Sequence, residues 1–178
     1  SKENFLNHEC EHLIENLLKQ KFNLIFRPHP EHFNRNKIIL DRLKNKYANL
    51  ENFIFDENEE NLDSMEKSYL LITDNSGISI EYSLIFKRPV IYFDKFNKIH
   101  NKAFDKIDIE TIEDKFKKEF GYLFNLNDLE NFEEKINLIH KEFDKKQEAL
   151  NKFINTNFFN FGKSAEFAFE HFEKKKKY

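Results

Sequence analysis

Four short apolar runs constrain this chain most: NLIF at 23–26, FIF at 53–55, YLLIT at 69–73 and PVIYF at 89–93. Each is too short for a core helix and is bounded by polar or turn-forming residues, so each reads as a strand. The segments between them carry helical spacing instead. Leu6, Cys10, Leu13 and Leu17 fall four, three and four apart ahead of the first run. Ile38, Ile39, Leu43 and Tyr47 mark a second helix, and Leu62 to Lys67 a short third one. Tyr122 to Phe124 reads as a last short strand. Leu129, Phe132, Ile136, Ile139 and Phe143 then form one apolar stripe on a long helix. Phe167 and Phe169 belong to a final helix after Gly162. Strands alternating with helices mean βαβ units and the α/β class, with a mostly parallel sheet of about five or six strands. The strands are continuously apolar rather than alternating, which predicts helices on both faces. Ile99 to Phe120 carries no clear period.

Composition removes several classes of function. A chain of 178 residues with 39% hydrophobic and 34% charged residues is globular rather than disordered. A formal net charge of −3 argues against a nucleic-acid binder, which would carry a basic excess. No apolar run approaches the ~18 residues of a membrane span. The one cysteine, Cys10, cannot close an internal disulfide, which fits a reducing cytoplasm, and it reads as a small packing residue. The run Lys174 to Lys177 is either a solvated end or a point of peripheral contact with an anionic membrane. With 3 glycines and 3 prolines, no flexible linker divides the chain. It opens on Ser1 inside a helix-like pattern, so the expectation is one lobe of a longer protein.

The stretch LITDNSGISIEYS, from Leu71, places small polar residues where a strand gives way to a helix. In an open α/β sheet ligands bind at the carboxyl ends of the strands. The first N–H groups of a helix have no internal partners and carry partial positive charge, which suits phosphate. Asp74, Asn75, Ser76 and Gly77 occupy that position, Gly77 allowing close backbone approach and Ser76 and Ser79 adding hydroxyls. The plainer alternative is that Asn75 or Ser76 caps the helix.

A second signal lies after NLIF, in Arg27-Pro28-His29-Pro30. The prolines hold His29, and Arg27 offers a planar fork of donors suited to phosphate. His29 can exchange a proton near neutral pH; alone, it reads equally as a surface histidine in a rigid turn. By the strand-end rule both loops open on one sheet edge. Glu81 is either a carboxylate paired with a lysine in the first helical turn or an acceptor for a ribose hydroxyl, as acidic residues are in some dinucleotide sites. His8 and His12 are four apart but lack a third ligand for a metal. His100 has no local support for a role, and His140 reads as a surface residue of the long helix.

Arg27-Pro28-His29-Pro30, followed by TDNSGISIEYSLIFKRPVIYF from Thr73 to Phe93, resembles the CDP-glycerol glycerophosphotransferase family of teichoic-acid and capsule biosynthesis. There an Arg-Pro-His motif precedes Thr-Asp-Tyr-Ser-Ser and a Lys/Arg-Pro-Val-Ile strand. NFGKSAEFAFEHF, Asn160 to Phe172, is similar to that family's closing segment. The resemblance spans about residues 22 to 172. It implies the C-terminal, donor-binding lobe of a GT-B fold, two Rossmann-like lobes around a cleft, with the acceptor lobe outside this chain. It also implies His29 as a catalytic or phosphate-stabilising residue and Asp74, Ser76 and Gly77 as donor diphosphate contacts. Two departures stand out: Asn75-Ser76-Gly77 replaces Tyr-Ser-Ser, and no Arg-Gly pair follows PVIYF.

The expected activity is therefore transfer from a nucleotide-diphosphate donor, CDP-glycerol or similar, to a polymer or lipid-linked acceptor, with no cofactor or metal. Two other readings use the same residues. One is a UDP-sugar glycosyltransferase or epimerase lobe. The other is a flavodoxin-like module without catalysis, which should carry acidic residues at the end of its first strand where this chain has Arg27 and His29.

Overall fold

The computed structural model of the chain describes Leu6 and residues 9–74, 76–93 and 109–175. Asn75, His8 and the segment 94–108, with His100, lie outside the described residues, as do Lys176 and Lys177.

Helix α1, Cys10–Lys19, buries Cys10, Leu13, Ile14 and Leu17, the residues its spacing singled out. It ends in a left-handed residue, Lys21, with φ 64°. The Phe22 N–H reaches back to the Leu17 carbonyl at 3.1 Å and the Lys21 N–H to Leu18 at 3.0 Å. This closes the last turn in the manner usually reserved for glycine. Lys87 does the same work after the helix Ile78–Phe86, at φ 55°. A chain with three glycines thus ends two helices on lysine.

Strand β1, Leu24–Phe26, follows α1. Two helices, α2 (Pro30–Arg35) and α3 (Lys37–Tyr47), lead to β2, Phe53–Phe55. Then come α4 (Leu62–Lys67), β3 (Leu71–Thr73), α5 (Ile78–Phe86) and β4 (Val90–Phe93). After the undescribed segment, α6 (Ile112–Phe120) runs directly into β5, Gly121–Phe124. A 3-10 turn at Leu126–Leu129 precedes α7 (Phe132–Lys145), α8 (Gln147–Asn157) and α9 (Ser164–Lys175).

The pairing is parallel throughout: β1 with β2, and β3 with β4 and β4 with β5. The strands form two hydrogen-bonded sheets rather than the single sheet expected, with orders β1-β2 and β3-β4-β5. A shared apolar layer joins them: Leu24 of β1, Ile72 of β3, Ile91 and Phe93 of β4 and Phe124 of β5 pack with Leu13 and Leu17 of α1 and Phe132, Ile136 and Ile139 of α7. On β4 the alternate residues Val90 and Tyr92 pack the other way, with Met65 of α4 and Tyr82 of α5. Helices therefore cover both faces, as a Rossmann-like α/β fold requires. Among the described strands, only β4, the middle strand of the larger sheet, is buried along its whole length. The edge strand β2 leaves Ile54 exposed.

Two further features were not apparent beforehand. Helices α6 and α8 sit in the same core, Phe116 and Phe120 against Leu150, Phe153 and Ile154, with Ile80 and Leu84 of α5. The Arg88-Pro89 pair also has a local role: Arg88 Nη1 donates to the carbonyls of Glu66 at 2.7 Å and of Ser68, closing the end of α4. No described helix is long and apolar enough to cross a membrane.

Candidate functional site

Strand β1 pairs with β2 in one sheet, and β3, β4 and β5 form the other. In open α/β sheets ligands bind at the carboxyl ends of the strands, and those of β1 and β3 each lead into a polar loop. The loops there are 27–30 and 74–77.

After β1, Arg27 is engaged. Its Nη1 donates to Asp56 Oδ2 at 2.7 Å, and its Nη2 to the carbonyls of Asn58 and Glu59 at 2.6 and 3.0 Å. Asp56 directly follows β2 and is buried. It also accepts from the Ser64 hydroxyl and from the backbone and side-chain N–H groups of Asn58, at 3.0 and 2.8 Å. Burial by itself pushes the Asp56 carboxyl up; the hydrogen bonds from Ser64, Asn58 and Arg27 outweigh it and hold the group below the usual carboxylate range. Three of the five guanidinium N–H groups are occupied, and two neighbouring strand-end loops are tied together.

His29 is the N-cap of α2, with Pro30 in the first helical position. Its Nδ1 accepts from the Glu31 N–H at 3.2 Å. An accepting Nδ1 carries no proton, so the neutral ring carries its proton on Nε2. The ring is exposed. His32, one turn on, stands edge-to-face with it at 6.3 Å between ring centroids. His32 Nδ1 lies 2.9 Å from Asn36 Oδ1.

After β3, Asp74 is near enough to the start of α1 for its charge to act on Cys10. The Cys10 thiol is pushed up to about 12, first by burial, then by Glu11 and by Asp74. Such a thiol is an unreactive packing group, as its spacing implied. Gly77 begins α5 with ordinary helical backbone, φ −58° and ψ −25°. A Cβ built there would meet nothing within 4 Å. The Ser79 and Ile80 amides are bonded to the carbonyls of Ser76 and Gly77 at 3.2 and 3.1 Å, whereas those of Gly77 and Ile78 have no partner among the described residues. Ser79 is turned inward. It is buried and donates its hydroxyl to the Ser76 carbonyl at 2.7 Å. Glu81 is exposed on the solvent side of α5.

The structure thus joins Arg27 to Asp56, His29 to His32, and Ser76 to Ser79, and leaves Glu81 apart. Asp56, Ser64, His32 and Asn36 escaped the sequence reading. Asp56 follows FIF directly, so the strand-end rule applied to β2 would have found it; His32 and Asn36 carry the i, i+4 spacing of a helical pair. His140 is corrected: it is half-buried, stacks on Tyr69 at 5.5 Å, and its Nε2 is buried without a partner among the described residues. Burial lowers its pKa. No group of three or more His, Cys, Asp or Glu residues able to hold a metal occurs among the described residues.

Comparison with known proteins agrees with the motifs. Residues 1–103 match the family model described as CDP-Glycerol:Poly(glycerophosphate) glycerophosphotransferase. The matched span contains both strand-end loops and the Lys87-to-Phe93 strand motif, and stops short of Asn160 to Phe172. No curated protein and no solved structure gives a match. With more than half its length matched, the chain belongs to the CDP-glycerol:poly(glycerophosphate) glycerophosphotransferase family.

Proposed function

We propose that this chain is the donor-binding lobe of a two-lobed, GT-B type glycerophosphotransferase acting in cell-surface polymer synthesis. One observation carries the reading. At the start of α5, inside the family match, two backbone N–H groups have no partner among the described residues, and beyond its chain neighbours no described atom comes within 4 Å of a Cβ built at Gly77. Open helix-start amides with room in front of them suit a diphosphate. Asp74 and Ser76 border that space, and Asn75 lies between them in sequence.

In the reaction, an acceptor hydroxyl attacks the β-phosphorus of CDP-glycerol. An O–P bond forms, the bridging P–O bond breaks, and CMP leaves. Charge spreads over the phosphoryl oxygens, so donors fixed in advance lower the barrier. The α5 amides supply them. His29 adds a donor at Nε2, because Nδ1 is taken by the Glu31 N–H; its part is to stabilise phosphate oxygens. Arg27, held by Asp56, fixes the loop that carries His29 and keeps its remaining N–H groups for the same oxygens. The acceptor is bound by the other lobe, beyond these residues, in a cytoplasmic enzyme working against the membrane surface.

The test is titration of CDP, UDP and cytidine onto the 15N-labelled chain. Half a cleft encloses little ligand, so a dissociation constant of about 0.1–1 mM, roughly 4–5.5 kcal/mol, is expected. Amide shifts should cluster at 27–30 and 74–81, with CDP above cytidine. Shifts elsewhere, or none at several-millimolar nucleotide, would overturn the reading. The chain alone should not transfer glycerol phosphate; turnover by it would show that no second lobe is needed.

A further inference from the structure

His29 cannot both cap α2 and take a proton. Its Nδ1 lone pair is occupied by the Glu31 N–H at 3.2 Å, so its Nε2 bears hydrogen and donates. If transfer needs a base on this loop, it must be another group. His32 lies one turn further along α2, its backbone N–H bonded to the His29 carbonyl at 2.8 Å and its ring edge-on to the His29 ring. Its Nδ1 faces a carboxamide oxygen, Asn36 Oδ1, at 2.9 Å. An oxygen can only accept, so Nδ1 carries the proton, and the Nε2 lone pair has no partner among the described residues. The two rings are thus set as opposite tautomers.

The same contact draws Asn36 out of its usual role. It stands at the junction of α2 and α3, as C-cap of one and N-cap of the other. Asparagine at an N-cap ordinarily turns its oxygen onto the amides of the helix it begins. Here no side-chain cap bond is made to α3, and the oxygen is turned to His32 instead. Backbone bonds hold the junction, Asn36 N–H to the His32 carbonyl at 2.8 Å and the Leu40 N–H to the Asn36 carbonyl at 3.1 Å.

We propose that His32 is the proton acceptor of the transfer reaction, with Asn36 as the residue that sets its tautomer and His29 as the neighbouring donor. The proposal rests on the transferase reading above. The acceptor hydroxyl gives its proton to His32 Nε2 as its oxygen bonds the β-phosphorus. The electron pair of the broken P–O bond leaves with CMP, and His32 later returns the proton to water.

Two measurements test it. The first uses the 178-residue chain labelled with 15N-histidine, read by long-range proton–nitrogen correlation at neutral pH. His32 should appear as the Nδ1–H tautomer and His29 as the Nε2–H tautomer. Asn36→Ala should lose the His32 assignment, while Asn36→Asp, which keeps an acceptor oxygen, should preserve it. An Nε2–H tautomer at His32 in the unmodified chain overturns the proposal, as does an unchanged spectrum in Asn36→Ala. The second measures glycerol-phosphate transfer from CDP-glycerol by the complete enzyme. Loss of a general base costs about 100-fold or more. His32→Ala should lower kcat by that factor with CDP binding unchanged, and Asn36→Asp should retain more kcat than Asn36→Ala. An active enzyme whose His32→Ala variant matches it overturns the base role alone. An unmodified enzyme with neither transfer nor nucleotide shifts overturns the transferase reading and this proposal together.

Discussion

The two strand-end loops, after β1 and after β3, are built on opposite plans. The loop after β1 is held by side chains: Pro28 and Pro30 on either side of His29, Arg27 bonded to Asp56 and two carbonyls, and the His29 ring capping α2. The loop after β3 is held by what lies behind it. Ser79 bonds inward, Tyr82 and Tyr92 fill the core below, and beyond its chain neighbours no described atom comes within 4 Å of a Cβ built at Gly77. The difference teaches a division of labour. A group that must present one nitrogen in one tautomer needs several bonds to fix it. A phosphate-binding backbone needs the reverse, an absence of side chains. Damage to the first loop should therefore appear as lost stability, and damage to the second as lost binding.

The largest effect should come from Asp56→Ala. Removing the carboxylate leaves Arg27, whose side chain is 21% exposed, without its charge partner, and strands the Ser64 hydroxyl and Asn58 donors. Breaking a buried pair costs about 3–5 kcal/mol, and the partial exposure of Arg27 puts this one near ~3 kcal/mol. Denaturant unfolding should show the midpoint falling with little change in slope. The same group sets an acid dependence. Its folded pKa is lowered, so its contribution is fully present above the unfolded value of about 4 and is lost as pH falls through the folded value. Asp56→Asn should flatten the acid limb of the stability curve and leave the neutral-to-basic limb parallel.

Part of this comparison was legible from the chain, and the reason for the remainder is physical. The strand FIF matches β2 residue for residue and PVIYF matches β4 within one residue, because apolar runs between polar breaks have few other solutions. YLLIT lost its first two residues: Tyr69 leaves the strand to stack on His140, a partner far along the chain. Helix α6 was missed although Ile112, Phe116 and Phe120 are four apart, since the charged residues between them hide a stripe of only three. The positions of both loops followed from the strand-end rule. What each side chain does there did not follow, because Arg27 and Ser79 each have two plausible partners, a ligand outside and an acceptor inside, and spacing cannot choose between them. The inside acceptors, Asp56 and the Ser76 carbonyl, are what the fold adds.

Ser79→Ala probes the support of the second loop. It removes the 2.7 Å bond to the Ser76 carbonyl. One such hydrogen bond is worth about 1 kcal/mol net. A modest drop in melting temperature is expected, with Ser76 amide shifts showing the loop relaxed. Stability equal to wild type would mean that Ser79 faces outward, as a ligand contact.

His29→Ala removes one weak cap from a six-residue helix. The loss of stability should be about 0.5 kcal/mol, at the low end for N-caps. Chemical shifts on CDP addition should shrink at 27–30 and persist at 74–81. Loss of shifts at both loops would show that the two are not separable.

Gly77→Ala should change stability least and sharpen the comparison most. The backbone at Gly77 is ordinary right-handed helix, open to any residue, and a Cβ would find 4 Å of empty space around it. Replacing glycine there costs the fold nothing in strain and restricts the unfolded chain, so a change within about 0.5 kcal/mol is expected, in the stabilising direction if any. The same methyl group projects into the space in front of the open Gly77 and Ile78 amides. It should weaken CDP binding several-fold, and Gly77→Val should abolish it, while cytidine, which brings no phosphate, binds each variant as it binds the native chain. If both variants bind CDP normally, the diphosphate does not lie over the start of α5, and the loop after β3 is a helix cap and nothing more.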